Sequence, residues 1–179
     1  MHLTVKVQED VPSLRRPDLR ERLVFLLEGA RKRGVRTLSF AIMPNHIHML
    51  CIAESAAALR DATRYVLGQL ARFVNRLFRR RGKVFTDRYW STCITTVKQG
   101  WTALCYVLKN AKIAGLRVLR GCLDAYSGVD EDLLGADRFL RSVLGPSARQ
   151  RHAILLRMAQ GPLAFTPLEE RLQPRLRGL

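Results

Sequence analysis

The chain has 179 residues, 47% of them hydrophobic, and a formal net charge of +16. It holds enough apolar side chains to bury a core, so the composition excludes a wholly disordered protein, and the length predicts one domain plus an appended segment. The positive charge excludes no class of enzyme, but it favours a polyanionic partner, and nucleic acid is the partner that we expect.

Strand and helix patterns alternate along the first third of the chain. Alternating apolar and polar residues predict a strand over residues 3–7. An apolar stripe of helical period begins near Pro17, which suits a first helical turn, and stops before Gly34, a residue typical of helix C-termini. Two further strands are predicted at residues 36–43 and 46–53, and the turn between them makes a hairpin.

The middle of the chain predicts a long helix, a strand and another helix. Ser55 is a suitable N-cap for a helix that runs from residue 56 to about residue 80. Residues 91–97 predict a fourth strand. Residues 101 to about 114 predict a helix that ends at Gly115.

The order of these elements, β-α-β-β-α-β-α, predicts the fold class. Its first six elements indicate an α+β fold of the ferredoxin-like type, a four-stranded antiparallel sheet with two helices on one face, to which the last helix is added. We therefore predict one domain over residues 1–121 and a partly helical extension over residues 122–179. In the extension, residues 123–135 are acidic and turn-like, and short helices are predicted at residues 138–144 and 150–158.

His46 and His48 stand two residues apart on the third predicted strand. Side chains alternate between the two faces of a strand, so both imidazoles should point to one face, where their ring nitrogens can bind a single metal ion. Two unrelated histidines on a half-exposed strand would show the same spacing. The spacing by itself leaves both interpretations open.

Tyr106 and Asn110 are four residues apart on the last predicted helix and should share one face of it. The carbonyl oxygen of an asparagine is an acceptable ligand for hard divalent cations, and a tyrosine phenol can attack phosphorus. A tyrosine packed in the core and a surface asparagine would also fit. The pair therefore suggests a site only when it is combined with the histidines.

Four segments together resemble the motifs of one known family. They read HLT at residues 2–4, MPNHIH at residues 43–48, VFTDRY at residues 84–89 and YVLKNA at residues 106–111. In this order and spacing they are similar to the REP-associated tyrosine transposases, single-tyrosine members of the HUH endonuclease superfamily. The resemblance covers residues 2 to about 127, and it departs from the family where Ala111 replaces a frequent proline.

The resemblance implies a fold, a reaction and a set of site residues. The fold is the ferredoxin-like sheet with a C-terminal catalytic helix, and the activity is DNA transposition by cleavage and rejoining of single-stranded or hairpin DNA, such as REP-like palindromes. It implies Tyr106 as the nucleophile, which forms a 5′-phosphotyrosine intermediate. It also implies a divalent cation, Mg²⁺ or Mn²⁺, held by His46, His48 and Asn110.

Other residues are candidates for contact with DNA. Trp90 can stack on an unpaired base, and Arg88 and Tyr89 precede it in the sequence. Four basic residues near the end of the long helix and after it can bind phosphates: Arg72, Arg76, Arg79 and Lys83. Tyr65 lies among apolar helix positions and is interpreted as structural, and Tyr126 lies beyond the predicted core.

Targeting and oligomeric state are less well defined by the sequence. No apolar run approaches the ~18 residues of a membrane span, and the N-terminus lacks a secretory pattern, so we expect a cytoplasmic, nucleoid-associated bacterial protein. Monomer and homodimer both remain open. The alternative function is a catalytically inactive or non-enzymatic nucleic-acid-binding protein on the same fold, although the aromatic pattern of RNA-binding ferredoxin-like sheets is missing.

Overall fold

A computed structural model describes residues 1–118 and 124–129 of the chain. The elements in chain order are β1 (His2–Lys6), α1 (Pro17–Arg31), β2 (Val35–Ile42), β3 (His46–Ala53), α2 (Ala56–Leu77), β4 (Trp90–Thr92), α3 (Val97–Ile113) and β5 (Ser127–Val129). The strands form one antiparallel sheet in the order β4-β1-β3-β2-β5. With β1 and β3 in the centre and α1 and α2 as connections, the predicted α+β fold of the ferredoxin-like type is confirmed.

The sheet has five strands where the sequence predicts four. The fifth, Ser127–Val129, pairs with β2. The sequence predicts a turn-like stretch there, because a strand of three residues is too short to show an alternating pattern. Just before it, the carboxylate of Asp124 accepts hydrogen bonds of 2.6 and 2.8 Å from the guanidinium of Arg15. The sheet thus continues past residue 121, where we predict the end of the domain. The helices predicted in the tail lie outside the described residues, at residues 138–144 and 150–158.

The strand β4 is shorter than the predicted strand over residues 91–97, and α3 begins at Val97 instead of Trp101. A capping box explains both differences. The hydroxyl of Thr96 accepts a hydrogen bond from the backbone N–H of Gln99, and the side chain of Gln99 accepts one from the backbone N–H of Thr96. These bonds start the helix early and remove the last residues from the strand.

The helix α2 is the longest helix among the described residues. It begins as predicted, since the hydroxyl of Ser55 accepts a hydrogen bond from the backbone N–H of Ala58. It ends at Leu77, before the predicted end near residue 80, and Arg79 adopts the left-handed conformation with a φ of 50°. Neither α2 nor any other helix within residues 1–118 and 124–129 combines the length and hydropathy of a membrane span.

The helices α1 and α2 pack on one face of the sheet and form the hydrophobic core with it. Alternation along the three central strands turns one set of side chains into this core: Leu3 and Val5 from β1, Phe40 and Ile42 from β2, and Ile47 and Met49 from β3. All six are at most 4% exposed. Complete burial of one such side chain stabilises a fold by about 1.5–3 kcal/mol, so this layer fixes the position of the strands.

The helix α3 packs on the opposite face, over β2 and β3. It contributes four buried apolar side chains: Leu104, Val107, Leu108 and Ala111. The alternation that sends Leu3 and Ile47 into the core turns the neighbouring polar residues His2, Thr4, His46 and His48 toward the α3 face. The fold therefore brings the histidines of two strands under the helix that carries Tyr106 and Asn110.

Candidate active site

Tyr106 lies over the strand histidines. The centroid of its ring is 5.3 Å from that of His48 and 5.8 Å from that of His2, and both pairs of rings meet edge to face. The buried residues of α3 hold the helix on the sheet. Tyr106 itself is 42% exposed. A phenol that contacts the buried His48 and the half-buried His2 and also reaches solvent can meet a substrate at the surface of the protein.

His46 and His48 project from the same face of β3, and their Nε2 atoms are 3.0 Å apart. Burial, together with the neighbouring His46 and His2, lowers the pKa of His48 to about 3. Burial and the charge of Lys6 lower the pKa of His46 as well. Both imidazoles are therefore neutral near neutral pH, which leaves each with one ring nitrogen free to bind a cation.

The other ring nitrogen of each histidine also has a partner. The Nδ1 atom of His48 is 3.1 Å from Oγ1 of Thr4 and 3.2 Å from Nε2 of His2, and the Nδ1 atom of His46 is 2.7 Å from Oδ1 of Asn45. The sequence alone does not indicate a role for His2, Thr4 or Asn45, although all three lie within motifs that carry the family resemblance. The period of two along β1, which puts His2 and Thr4 on one face, was the available signal.

Asn110 is only 5% exposed and lies one helical turn after Tyr106. Within residues 1–118 and 124–129, no group of three or more His, Cys, Asp or Glu side chains is arranged to hold a metal ion. A cation shared by His46 and His48 would need oxygen ligands as well, from Asn110, water or a substrate. The separation of 3.0 Å between the two Nε2 atoms suits such a cation, because neighbouring ligands of an octahedral ion with bonds of ~2.1 Å are about 3 Å apart.

The other three tyrosines lie away from the histidines. Tyr65 projects from α2 on the opposite side of the sheet, with the guanidinium of Arg33 3.8 Å from its ring centroid. Tyr89 is half-buried and packs against the hydrophobic core, so its ring serves the fold in addition to any contact with DNA. Tyr126 lies beside the β2 edge, where its backbone carbonyl accepts a hydrogen bond from Ile42.

Trp90 lies on the same face of the sheet as the histidines. It pairs with Thr4 on β1, and Thr4 pairs with His48 on β3, so the three side chains form one row across the sheet. With adjacent strands about 4.8 Å apart, the backbones of Trp90 and His48 are about 10 Å apart. Trp90 is 76% exposed, which makes its ring accessible to a ligand bound over the histidines.

The predicted basic contacts fall into two groups. Arg79, Lys83 and Arg88 are exposed in the connection between α2 and β4, which a hydrogen bond from Gln8 to Val84 holds beside the end of β1. In contrast, two basic residues of α2 lie in the layer across the sheet from α3: Arg72 and Arg76. The contact of either group with DNA stays a prediction.

Comparison with known proteins gives one family and a small number of structural neighbours. Residues 1–108 match the family model described as Transposase IS200 like. No curated protein matches the chain. A REP-associated tyrosine transposase bound to a REP hairpin is similar at 14% identity, with a TM-score of 0.49 over 65% of this chain and 68% of that one. A candidate transposase from Deinococcus radiodurans R1 is similar at 16% identity, with a TM-score of 0.43 over 66% of this chain and 90% of that one.

Proposed function

The chain belongs to the IS200-like transposase family, and we propose that it cleaves and rejoins single-stranded or hairpin DNA with Tyr106 as the nucleophile. The observation that carries the proposal is the edge-to-face contact of the Tyr106 ring with the His48 ring, whose centroids are 5.3 Å apart, combined with the exposure of the same tyrosine. A phenol that reaches solvent beside an imidazole able to bind a cation supports attack on a phosphodiester bound at the surface. REP-like hairpins are the first substrates to test, as the sequence resemblance implies.

In this reaction Tyr106 loses its phenolic proton to solvent, and its oxygen attacks the scissile phosphorus. The bond from phosphorus to the 3′-oxygen breaks, the 3′-oxygen takes up a proton, and the 5′-phosphate remains on Tyr106. A 3′-hydroxyl that attacks the phosphotyrosine reverses the step and joins new strands. One phosphodiester bond is exchanged for another of the same type. The bond energy is retained, so the reaction needs no nucleoside triphosphate.

The metal site of the proposal consists of His46, His48 and Asn110. A divalent cation there, Mg²⁺ or Mn²⁺, would neutralise the negative charge that develops on the scissile phosphate. The neutral imidazoles with Nε2 atoms 3.0 Å apart support this assignment. The burial of Asn110 on the helix that also carries Tyr106 supports a role for its amide oxygen.

The direct test is formation of a covalent complex. A hairpin oligonucleotide labelled at its 3′ end, incubated with the protein and Mn²⁺, should give a labelled protein band that survives denaturation. The label must be at the 3′ end because the fragment that carries the 5′-phosphate stays on the protein. If no hairpin and no metal yields that band, the non-enzymatic nucleic-acid-binding alternative replaces the proposal.

We expect binding to DNA to depend steeply on salt and to persist without a divalent cation. The net charge of +16 favours phosphate contacts, and six or more such contacts lower the affinity about 10³-fold or more between 50 and 200 mM salt. Fluorescence anisotropy of a labelled hairpin with the Tyr106→Phe protein in EDTA measures this without cleavage. A dissociation constant that hardly changes over this range would contradict a role for the basic surface.

We also expect Trp90→Ala to weaken binding to single-stranded DNA by roughly 5- to 150-fold, the loss of one stacked base at ~1–3 kcal/mol. Trp90→Phe keeps an aromatic ring and should retain most of the affinity. A fully paired duplex without unpaired bases is the matched control, and its affinity should not change. Equal losses for the duplex and the single strand would show that Trp90 supports the fold and not base stacking.

A further inference from the structure

Both histidines of the proposed metal site have a hydrogen-bonding partner at Nδ1, and the two partners are of different kinds. His46 faces the amide oxygen of Asn45 across 2.7 Å, and His48 faces the hydroxyl of Thr4 across 3.1 Å. Both contacts use Nδ1, so both Nε2 atoms point to the same place. The group that faces Nδ1 decides which tautomers are available to each ring.

The two groups act differently on their histidines. An amide oxygen only accepts hydrogen bonds, so the proton of neutral His46 must lie on Nδ1, and its Nε2 is a free lone pair. A hydroxyl both donates and accepts. Without a cation, Nε2–H of His48 can donate to Nε2 of His46 across 3.0 Å while Thr4 donates to Nδ1. With a cation, the proton of His48 has to move to Nδ1, and the hydroxyl oxygen of Thr4 can then accept a hydrogen bond from Nδ1–H.

We propose that Asn45 and Thr4 are positioning residues that set the tautomers of His46 and His48 for binding of a divalent cation. Asn45 fixes His46 in one tautomer, and Thr4 allows His48 to change from the Nε2–H form to the Nδ1–H form when the cation binds. This inference rests on the metal site of the proposed function. Partners of this kind typically account for 10- to 100-fold of metal affinity.

The backbone holds both positioning residues in place. Thr4 is directly opposite His48 in the antiparallel pairing of β1 with β3. The backbone carbonyl of Asn45 accepts a hydrogen bond of 2.9 Å from the N–H of Val7, which ties the turn before β3 to the end of β1. Both partners therefore depend on β1, and the adjacent His2, 3.2 Å from Nδ1 of His48, is a second group of this strand at the same nitrogen.

The first test measures cation affinity without catalysis. In the Tyr106→Phe protein, free of DNA, Mn²⁺ binding followed by electron paramagnetic resonance should weaken about 10- to 100-fold in Thr4→Val and in Asn45→Ala. Thr4→Ser keeps the hydroxyl and should bind nearly as the parent does. Asn45→Asp offers a stronger acceptor to His46 and should bind Mn²⁺ more tightly. Thermal melts confirm that each variant is folded.

The second test reads the tautomers by nuclear magnetic resonance of ¹⁵N-labelled histidine. Without a cation, His46 should be protonated at Nδ1 and His48 at Nε2, and a titration with Mg²⁺ should move only the proton of His48. In Asn45→Ala, His46 should become a mixture of tautomers.

Wild-type tautomers and wild-type Mn²⁺ affinity in Thr4→Val and Asn45→Ala would overturn the inference. If the parent protein binds no Mn²⁺ or Mg²⁺, the metal site of the proposed function is refuted, and so is the change of tautomer proposed for His48. The His46 tautomer still decides the role of Asn45.

Discussion

The substitution Tyr106→Phe should abolish the covalent protein–DNA complex and lower strand cleavage by at least about 10³-fold, because it removes the oxygen that we propose forms the phosphotyrosine. The ring remains and keeps its edge contacts with His2 and His48. We therefore expect the melting temperature and the affinity for hairpin DNA to change little. Denaturing gels with a 3′-labelled hairpin measure the complex, and anisotropy measures the binding.

The other tyrosines provide matched controls for this result. Tyr89→Phe and Tyr126→Phe remove the same oxygen from residues that lie away from the histidines, and both variants should still form the complex. If Tyr89→Phe loses the complex and Tyr106→Phe keeps it, the nucleophile is wrongly assigned. A complex that survives in all three single variants would point to Tyr65, which the structure places on the opposite side of the sheet.

Much of the fold follows from local patterns in the sequence. The bounds of β3 are those predicted, because a turn precedes this strand, Ser55 caps the helix after it, and its residues alternate between the two faces. The same alternation places His46 and His48 together without any knowledge of the tertiary structure. The short strand β5 shows no such pattern, and its position depends on pairing with β2 and on the ion pair between Arg15 and Asp124.

The choice among tyrosines needs the tertiary structure. Tyr106 is followed four residues later by Asn110, but Tyr65 is followed at the same distance by Gln69, so the spacing of a tyrosine and an amide fits both helices. The two tyrosines differ in the face of the sheet on which they lie, since α2 packs in the core and α3 packs over the histidines. The approach of His2 to His48 likewise depends on the register of β1 with β3, which no local pattern specifies.

The substitutions His46→Ala and His48→Ala should each lower cleavage about 10³-fold, which corresponds to ~4 kcal/mol of lost transition-state stabilisation. The residual rate should no longer increase when Mn²⁺ is added. Binding of hairpin DNA in EDTA should be retained, because we expect the phosphate contacts to come from basic side chains and not from these neutral imidazoles. His48 is 4% exposed and its loss leaves a cavity, so a thermal melt has to accompany its kinetics.

The double variant His46→Ala/His48→Ala tests whether the two imidazoles act on one cation. If they share it, removing either one already removes the site, and the double variant should cleave only slightly more slowly than each single variant. If the histidines act independently, the two losses should multiply to about 10⁶-fold. Single-turnover cleavage rates over a range of Mn²⁺ concentrations distinguish these results. Multiplied losses, or single variants that still respond to Mn²⁺ as the wild type does, would refute a metal site shared by His46 and His48.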